Sequence, residues 1–441
     1  MIDLAKYRLP FFFFVLIFVG LATFATIKFN QGYRLDLTNK KLKPTGLLVA
    51  DSIPSGAQVF INGKLSTATN NTISLSPGKY LVEIKKNGFT AWKKELTIEK
   101  ELVTQTEAFL FPLLPDLKPL TFSGVEKPVI SPDGTKLVYS VPLPKDQNKN
   151  LPPPNDEAGL WVMDLTDFIF NINREPKQIV KSWNGVEGDF SKANYSWTPD
   201  SKQILVEFAH SRYLLDSTQL NNRATLHDIT LDLPKIIEQW NIEKTIREQA
   251  KMKKMPEKMQ EILKENATEI EFSPDGTKAL YKATSSAEIP EKLIPPVLAA
   301  STQKENRQLK PGKIYVYDLK EDKNFLIPYD LPPISPTLTP KSSKNKNPTP
   351  SPFINAKYSI SDTIKWFPTS RHLYWMESDK DGNSRVIACE YDGNNVTTVY
   401  AGPFLPPYAF IAPGANRLIV LTQISANSET VRPNLYSISL K

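Results

Sequence analysis

Cysteine is almost missing from this chain: Cys389 is the only one in 441 residues. A single thiol forms no internal disulfide and no cysteine-based zinc site. No cysteine follows the N-terminal apolar run, so a lipid carried on a processed cysteine is excluded. Histidine is nearly as scarce. His210, His227 and His372 are the only three, and none stands at metal-ligand or triad spacing. Each falls in or near a strand-like run, where structural use is the simpler reading. There is no G-x-S-x-G elbow, no phosphate loop and no G-x-G-x-x-G. No catalytic, cofactor-binding or metal-binding residue is therefore assigned, and no cofactor is expected. Glycine is outnumbered about two to one, 18 against 37 prolines. Proline fixes φ and removes a donor, so this composition disfavours long helical bundles and suits short strands joined by turns.

What is present begins with length, which allows two or three domains, each with its own core. The net charge of +7 is unevenly placed. Met1 to Lys43 carries seven basic residues against Asp3 and Asp36. Leu331 to Lys357 adds Lys341, Lys344, Lys346 and Lys357 with no acid. The excess thus sits beside an apolar run and in a proline-rich loop, and the rest of the chain is slightly acidic. That distribution suits anionic lipid headgroups and argues against nucleic acid as a partner.

Leu9 to Ile27, LPFFFFVLIFVGLATFATI, holds no charge and no polar face. As a helix at about 1.5 Å per residue it spans roughly 28 Å, close to a hydrocarbon core. Thr23-Phe24-Ala25 offers a small-x-small cleavage site, but the run exceeds a usual signal core. We read residues 1–30 as a tail and an uncleaved transmembrane anchor, with residues 31–45 a basic linker. Lys6 and Arg8 favour a cytoplasmic N-terminus, although the far flank is also basic.

Gly46 to Pro112 alternates apolar and polar residues in short runs, as half-buried antiparallel strands do. Leu47-Leu48-Val49, Val59-Phe60-Ile61, Ile73-Ser74-Leu75, Tyr80 to Ile84 and Ala91 to Ile98 are five such runs. Trp92, Leu96 and Ile98 are expected to face inward. Asn62-Gly63 suits a type I′ hairpin, which needs positive φ at both positions. Five or six strands over this length make a small sandwich. The succession Pro54-Ser55-Gly56-Ala57, Val59 to Gly63, Leu75-Ser76-Pro77-Gly78-Lys79-Tyr80 and Lys86-Asn87-Gly88-Phe89 with Trp92 resembles the PEGA domain. Ser55 stands where that family usually has Glu. Its second glycine and proline are replaced by Ser66 to Asn71. The resemblance implies a surface or envelope protein and brings no catalytic residues.

The remainder repeats itself. Ile130-Ser-Pro-Asp-Gly-Thr-Lys-Leu-Val-Tyr139, Trp197-Thr-Pro-Asp-Ser-Lys-Gln-Ile-Leu-Val206 and Phe272-Ser-Pro-Asp-Gly-Thr-Lys-Ala-Leu-Tyr281 share one pattern. Trp366 to Trp375 and Ile411 to Val420 are decayed copies. In each, proline presets a turn and the next strand enters the sheet. A second run follows most copies: Leu160 to Leu165, Arg212 to Asp216, Ile314 to Leu319, Val386 to Tyr391 and Leu435 to Leu440. Three short strands per repeat bury no core alone, so neighbours must stack. The bulky-Ser-Pro-Asp-Gly turn resembles that of TolB-like, WD-related β-propellers, which places a propeller of five to six blades over residues 117–441. Leu117 to Phe122 would supply the last blade's outer strand. Two inserts interrupt it. Residues 234–266 show apolar spacings of three and four from Ile237 to Leu263, a helix pair broken at Pro256. Its stripe either packs on the propeller or serves as a docking arm. Residues 331–357 are too proline-rich and polar to fold. Asp379-Lys-Asp381-Gly-Asn383 reads as a hairpin turn rather than a calcium loop.

The fold class is thus mostly β: an N-terminal transmembrane helix, a PEGA-like sandwich at 46–112, and a propeller with a helical insert. The function implied is a membrane-anchored, extracytoplasmic, non-enzymatic binding or scaffold protein of the cell envelope. Its partners would be the lipid bilayer and an envelope protein or glycan. A propeller-type enzyme acting on envelope glycans and a membrane-tethered sensor are the alternatives. The first lacks paired carboxylates outside turns, and the second lacks an N-terminal module beyond Met1 to Arg8.

Overall fold

The computed structural model describes residues 8–30, 33–36, 41–143, 157–166, 175–183, 185, 187–329, 363–378, 384–424 and 432–441. The proline-rich segment and the Asp379 to Asn383 turn lie outside the described residues. The chain divides into two compact units, residues 1–111 with 296–304, and residues 112–295 with 305–441.

The first unit opens with helix α1, Arg8–Asn30. Its stretch Pro10–Lys28 is long and apolar enough to cross a membrane, and none of it is buried against protein. Phe11, Phe14 and Phe18 are each more than half exposed. Short strands β1 (Arg34–Asp36) and β2 (Lys41–Lys43) pair with each other. The sandwich follows: β3 (Gly46–Ile53), β4 (Gln58–Ile61), β5 (Lys64–Ala68), β6 (Asn71–Leu75), β7 (Gly78–Lys85), β8 (Trp92–Ile98) and β9 (Val103–Phe109). One sheet runs β6-β3-β9 and the other β5-β4-β7-β8.

Seven strands exceed the five or six expected, because β5 and β9 hide their character. β5 is polar and largely exposed, and β9 buries only Thr106, Ala108 and Phe109. The pairing of β3 with β9 is parallel, a departure from the antiparallel expectation. Asn62 and Gly63 both have positive φ, as the hairpin requires. Trp92, Leu96 and Ile98 face inward and pack with Leu48, Val59, Val82 and Ile84. Beneath the Pro54 turn, buried Thr69 accepts from the Ala57 N–H at 2.9 Å and meets Ser52 Oγ at 2.7 Å. Residues 296–304 close the outer edge of β8, where Thr97 N–H donates to Thr302 Oγ1 and Gln303 Nε2 donates to Glu95 O.

Among the described residues the second unit holds five antiparallel sheets of three or four strands in chain order, and one two-stranded ladder. Strand β10 (Leu117–Pro119) is held over for the fifth sheet. The first sheet is β11 (Glu126–Ile130), β12 (Lys136–Val141), β13 (Gly159–Asp164) and β14 (Lys177–Lys181). The second has only β15 (Asn194–Trp197), β16 (Gln203–Glu207) and β17 (Arg212–Asp216). Helices α2 (Leu233–Met252) and α3 (Glu257–Asn266) follow, broken around Pro256. The third sheet is β18 (Ala267–Phe272), β19 (Lys278–Ala283), β22 (Ile314–Asp318) and β23 (Lys323–Leu326). A small ladder of β20 (Ala287–Glu288) and β21 (Gln308–Leu309) is inserted into it. The fourth is β24 (Ile364–Trp366), β25 (His372–Ser378), β26 (Ser384–Glu390) and β27 (Thr397–Gly402). The fifth is β28 (Ala409–Ile411), β29 (Arg417–Thr422) and β30 (Asn434–Ser439), completed by β10 against β30. Leu117 faces Ile438 in that pairing, so the strand expected on the last blade's outer edge is there.

The second strands explain why the sheets stack. β12, β16, β19, β25 and β29 read as continuous apolar runs, buried along most of their length. A strand covered on both faces needs apolar residues at every position rather than every second one. In β12, Val138 joins a core shared with the second sheet. Leu137, Tyr139 and Val141 join one shared with Phe410, Ile419 and Leu421 of the fifth. The first sheet therefore lies between the second and the fifth, and the sheets are the blades of a β-propeller. Blades 3 and 4 share the core around Leu280, Val316, Trp366 and Trp375. Blades 4 and 5 meet where Lys365 lies over Phe410. Helix α2 packs Leu233, Ile237 and Trp240 on blade 2, and α3 packs Met259, Ile262 and Leu263 on blade 3. The helix pair thus covers one face of blade 2 and one face of blade 3.

Candidate functional site

The turn that marks the first three repeats is a hydrogen-bonded lock. In blade 1, Asp133 Oδ1 accepts from Ser131 Oγ at 2.6 Å, from Thr135 N at 3.0 Å and from Thr135 Oγ1 at 2.9 Å. Ser131 Oγ in turn accepts from Lys136 N at 2.9 Å. Blade 3 repeats the pattern through Ser273, Asp275, Thr277 and Lys278. Blade 2 builds it from Thr198, Asp200 and Lys202. Partial burial raises the carboxyl pKa values of Asp133 and Asp275, but hydrogen bonds from the neighbouring serine and threonine outweigh it and hold both below the usual range. The Thr198 hydroxyl does the same for Asp200. These acids are engaged in holding turns.

Where glycine ends the turn in blades 1 and 3, blades 2 and 4 carry Ser201 and Ser370, each at φ 60°. Both are buried and reach across to the preceding blade. Asp133 N–H donates to Ser201 Oγ at 3.2 Å, and Asp275 N–H donates to Ser370 Oγ at 3.0 Å. The copy that holds Ser370 reads in sequence as a decayed repeat. Both serines are inter-blade latches.

The first strands of blades 1 and 2 approach each other closely. Tyr195 Oη donates to the Glu126 and Lys127 carbonyls, and Lys127 Nζ donates to Ala193 O. Burial raises the Tyr195 hydroxyl pKa well above its ordinary value. β11 and β18 are both bulged, with Lys127 and Glu269 at positive φ in equivalent places. Along these strands Glu126, Lys127, Asn194, Ser196, Glu269, Glu271 and Lys365 supply the polar side chains, with Asn194 and Ser196 exposed. The first strand of blade 5, Ala-Phe-Ile, is apolar. This polar set escaped sequence reading, since the repeat pattern stands out by its turns and second strands.

A second surface lies on α2. It bears a groove of about 510 Å³ that runs from Ile237, at the edge of the face packed on blade 2, to Glu238, Asn241, Ile242 and Ile246. Ile242 is 54% and Ile246 61% exposed, and Leu231 just before the helix is 95% exposed. The predicted stripe therefore divides: one face packs on the propeller and these residues stay outside.

The histidines are scattered. His210 and His227 are exposed in loops, while His372 is buried in β25 against Phe367. Cys389 is buried in blade 4, and burial pushes its thiol pKa far up, as for an unreactive core cysteine. Among the described residues no group of three or more His, Cys, Asp or Glu is placed to hold a metal ion.

Residues 45–110 match the PEGA domain. No curated protein matches the sequence. Among solved structures, a TolB from Agrobacterium tumefaciens is 13% identical with a TM-score of 0.20, covering 71% of this chain and 78% of that one. TolB from Acinetobacter baumannii is 11% identical with a TM-score of 0.21, covering 82% of this chain and 60% of that one. The β-propeller domain of the Trilobed protease from Pyrococcus furiosus is 11% identical with a TM-score of 0.21, covering 90% and 95%. At such scores these likenesses add little, and the propeller rests on the sheet order and shared cores of this chain.

Proposed function

We propose that this chain is a membrane-tethered, non-enzymatic binding or scaffold protein of the cell envelope. In this reading α1 spans the bilayer, the N-terminus is cytoplasmic and the two compact units lie outside. The propeller engages an envelope protein or glycan, and the helix pair with the polar first strands forms its docking surface. Residues 1–30, 46–112 and 117–441 are then anchor, spacer module and binding domain.

One observation carries the reading. Large apolar side chains stay exposed along α1 from Phe11 to Ile27, and Leu231, Ile242 and Ile246 are among the exposed apolar residues of the propeller unit. The first set matches a hydrocarbon core in length, and Ile242 and Ile246 of the second line one groove on α2. The PEGA match, a domain found in surface and envelope proteins, supports the compartment. The use of Asp133, Asp200 and Asp275 as turn locks supports a non-enzymatic role.

A photo-crosslinking residue at Ile246, in the full chain in its native membrane, tests it. The expected result is one discrete protein or glycan adduct, lost when Ile242 is replaced by Asp. A trimmed glycan product released by the purified chain would contradict the reading.

A further inference from the structure

Where α1 ends, the first unit places two lysines around one aromatic ring. Lys28 Nζ lies 4.4 Å from the Tyr33 ring centroid and Lys100 Nζ lies 6.0 Å from it. Tyr33 Oη donates to Glu101 Oε1 at 2.8 Å, and Tyr33 N–H donates to Lys28 O at 2.9 Å. The turn that carries Lys100 and Glu101, between β8 and β9, is itself fixed. Glu101 stands at φ 63° and its N–H donates to Thr45 O at 3.0 Å. The helix end and the sandwich are thus pinned together through Tyr33. Nearby charge is not all of one sign, for Glu101 Oε1 also lies 3.6 Å from Lys100 Nζ. The sequence balance is still positive: Lys28, Arg34, Lys40, Lys41, Lys43 and Lys100 stand against Asp36, Glu99 and Glu101.

We propose that Lys28 and Lys100, held on the Tyr33 ring, form a clamp for the phosphate groups of anionic phospholipids, seating this end of the sandwich on the bilayer. The proposal rests on the reading that α1 spans the membrane. Lys28 closes the apolar stretch, so its ammonium lies where hydrocarbon gives way to headgroups. Tyrosine and lysine favour that layer, because each has an apolar stem and a polar end. The neighbouring surface is lipid by continuity with α1, whose side chains have no protein cover. An ammonium near an anionic surface contributes about 1 kcal/mol, roughly a fivefold preference for each lysine.

The test uses the full chain in liposomes, of phosphatidylcholine alone or with phosphatidylglycerol, doped with a headgroup nitroxide lipid. Cys389 is buried, so an introduced cysteine can be labelled selectively. A fluorophore at Ser76→Cys reports the end near Lys100, because Gly78 pairs with Ile98 and Leu75 with Gly46. One at Asn87→Cys reports the opposite end, beyond the Ile84–Trp92 pair. Anionic lipid is expected to increase quenching at position 76 well above that at 87. K28Q/K100Q should remove the increase, while K28R/K100R keeps it, with near-UV circular dichroism unchanged in both. Quenching equal in the two lipids, or unaffected in K28Q/K100Q, overturns the clamp while the chain stays resistant to alkaline extraction. Release of the wild-type chain by alkaline carbonate overturns the anchor reading and the clamp with it.

Discussion

Replacing Ser370 by alanine and by glycine separates two energies that the fold sets against each other. Ser370 is 1% exposed, adopts φ 60°, and accepts the Asp275 N–H of the preceding blade at 3.0 Å. Alanine removes the acceptor and keeps the left-handed backbone, leaving a half-buried N–H without its partner at a cost of about 1–3 kcal/mol. Glycine loses the same bond but relieves about 1 kcal/mol of left-handed strain. S370G should therefore be about 1 kcal/mol more stable than S370A, and still less stable than wild type. Gly276→Ala is the control: at φ 68° its new Cβ meets nothing within 4 Å, so only the backbone cost of about 1 kcal/mol remains. Hydrogen exchange in the peptide holding the Asp275 amide reads the result directly, at roughly tenfold in rate for each 1.4 kcal/mol of lost protection. Equal protection in S370A, S370G and wild type would refute the latch. So would a loss confined to peptides away from Asp275.

Acid should weaken the turns. Asp216 and Asp228 are held below their ordinary pKa of 3.8 by the hydroxyls of Thr218 and Thr230, as Asp200 is by Thr198. A carboxyl depressed in the folded state contributes stability above its unfolded pKa and loses it as pH falls through the folded value, so melting temperature should drop below about pH 4. D200N should flatten that drop. Gly159→Ala should be among the most damaging single changes, because its Cβ would lie 2.0 Å from Val180 O at φ 149°; soluble yield and unfolding midpoint should both fall. On the helix pair, Met259→Ala should cost about 2–5 kcal/mol in denaturant unfolding, since Met259 is fully buried on blade 3. Ile246→Asp, on the outer side of α2, should change stability by about 0.5 kcal/mol or less.

The architecture was legible wherever one residue type has one physical use. Asn62-Gly63 meant a hairpin because few other pairs adopt positive φ twice, and the Pro-Asp-Gly turns meant repeats because their hydrogen bonds need those side chains. Continuous apolar second strands told of blades covered on both faces. Blade 4 was harder, since a serine at a glycine position looks like erosion until the neighbouring blade shows what its hydroxyl accepts. β5 and β9 were missed because edge strands with polar faces carry no period-two signal. The polar residues of the first strands were invisible for a related reason: Glu126, Asn194, Glu271 and Lys365 are far apart in sequence and sit on short strands with no pattern of their own. Tyr33 and Glu101 are 68 residues apart and meet through a turn whose geometry no local pattern announces.

The account's central claim is that the folded units are held at a membrane with their bulk outside. With Cys389 buried and silent, a cysteine introduced at Asn87 gives one reporter for a membrane-impermeant maleimide on intact cells. Labelling without permeabilisation, on a chain that stays with the membrane pellet in alkaline carbonate, is the expected result. Labelling only after the membrane is opened, or a labelled chain in the supernatant, would contradict it.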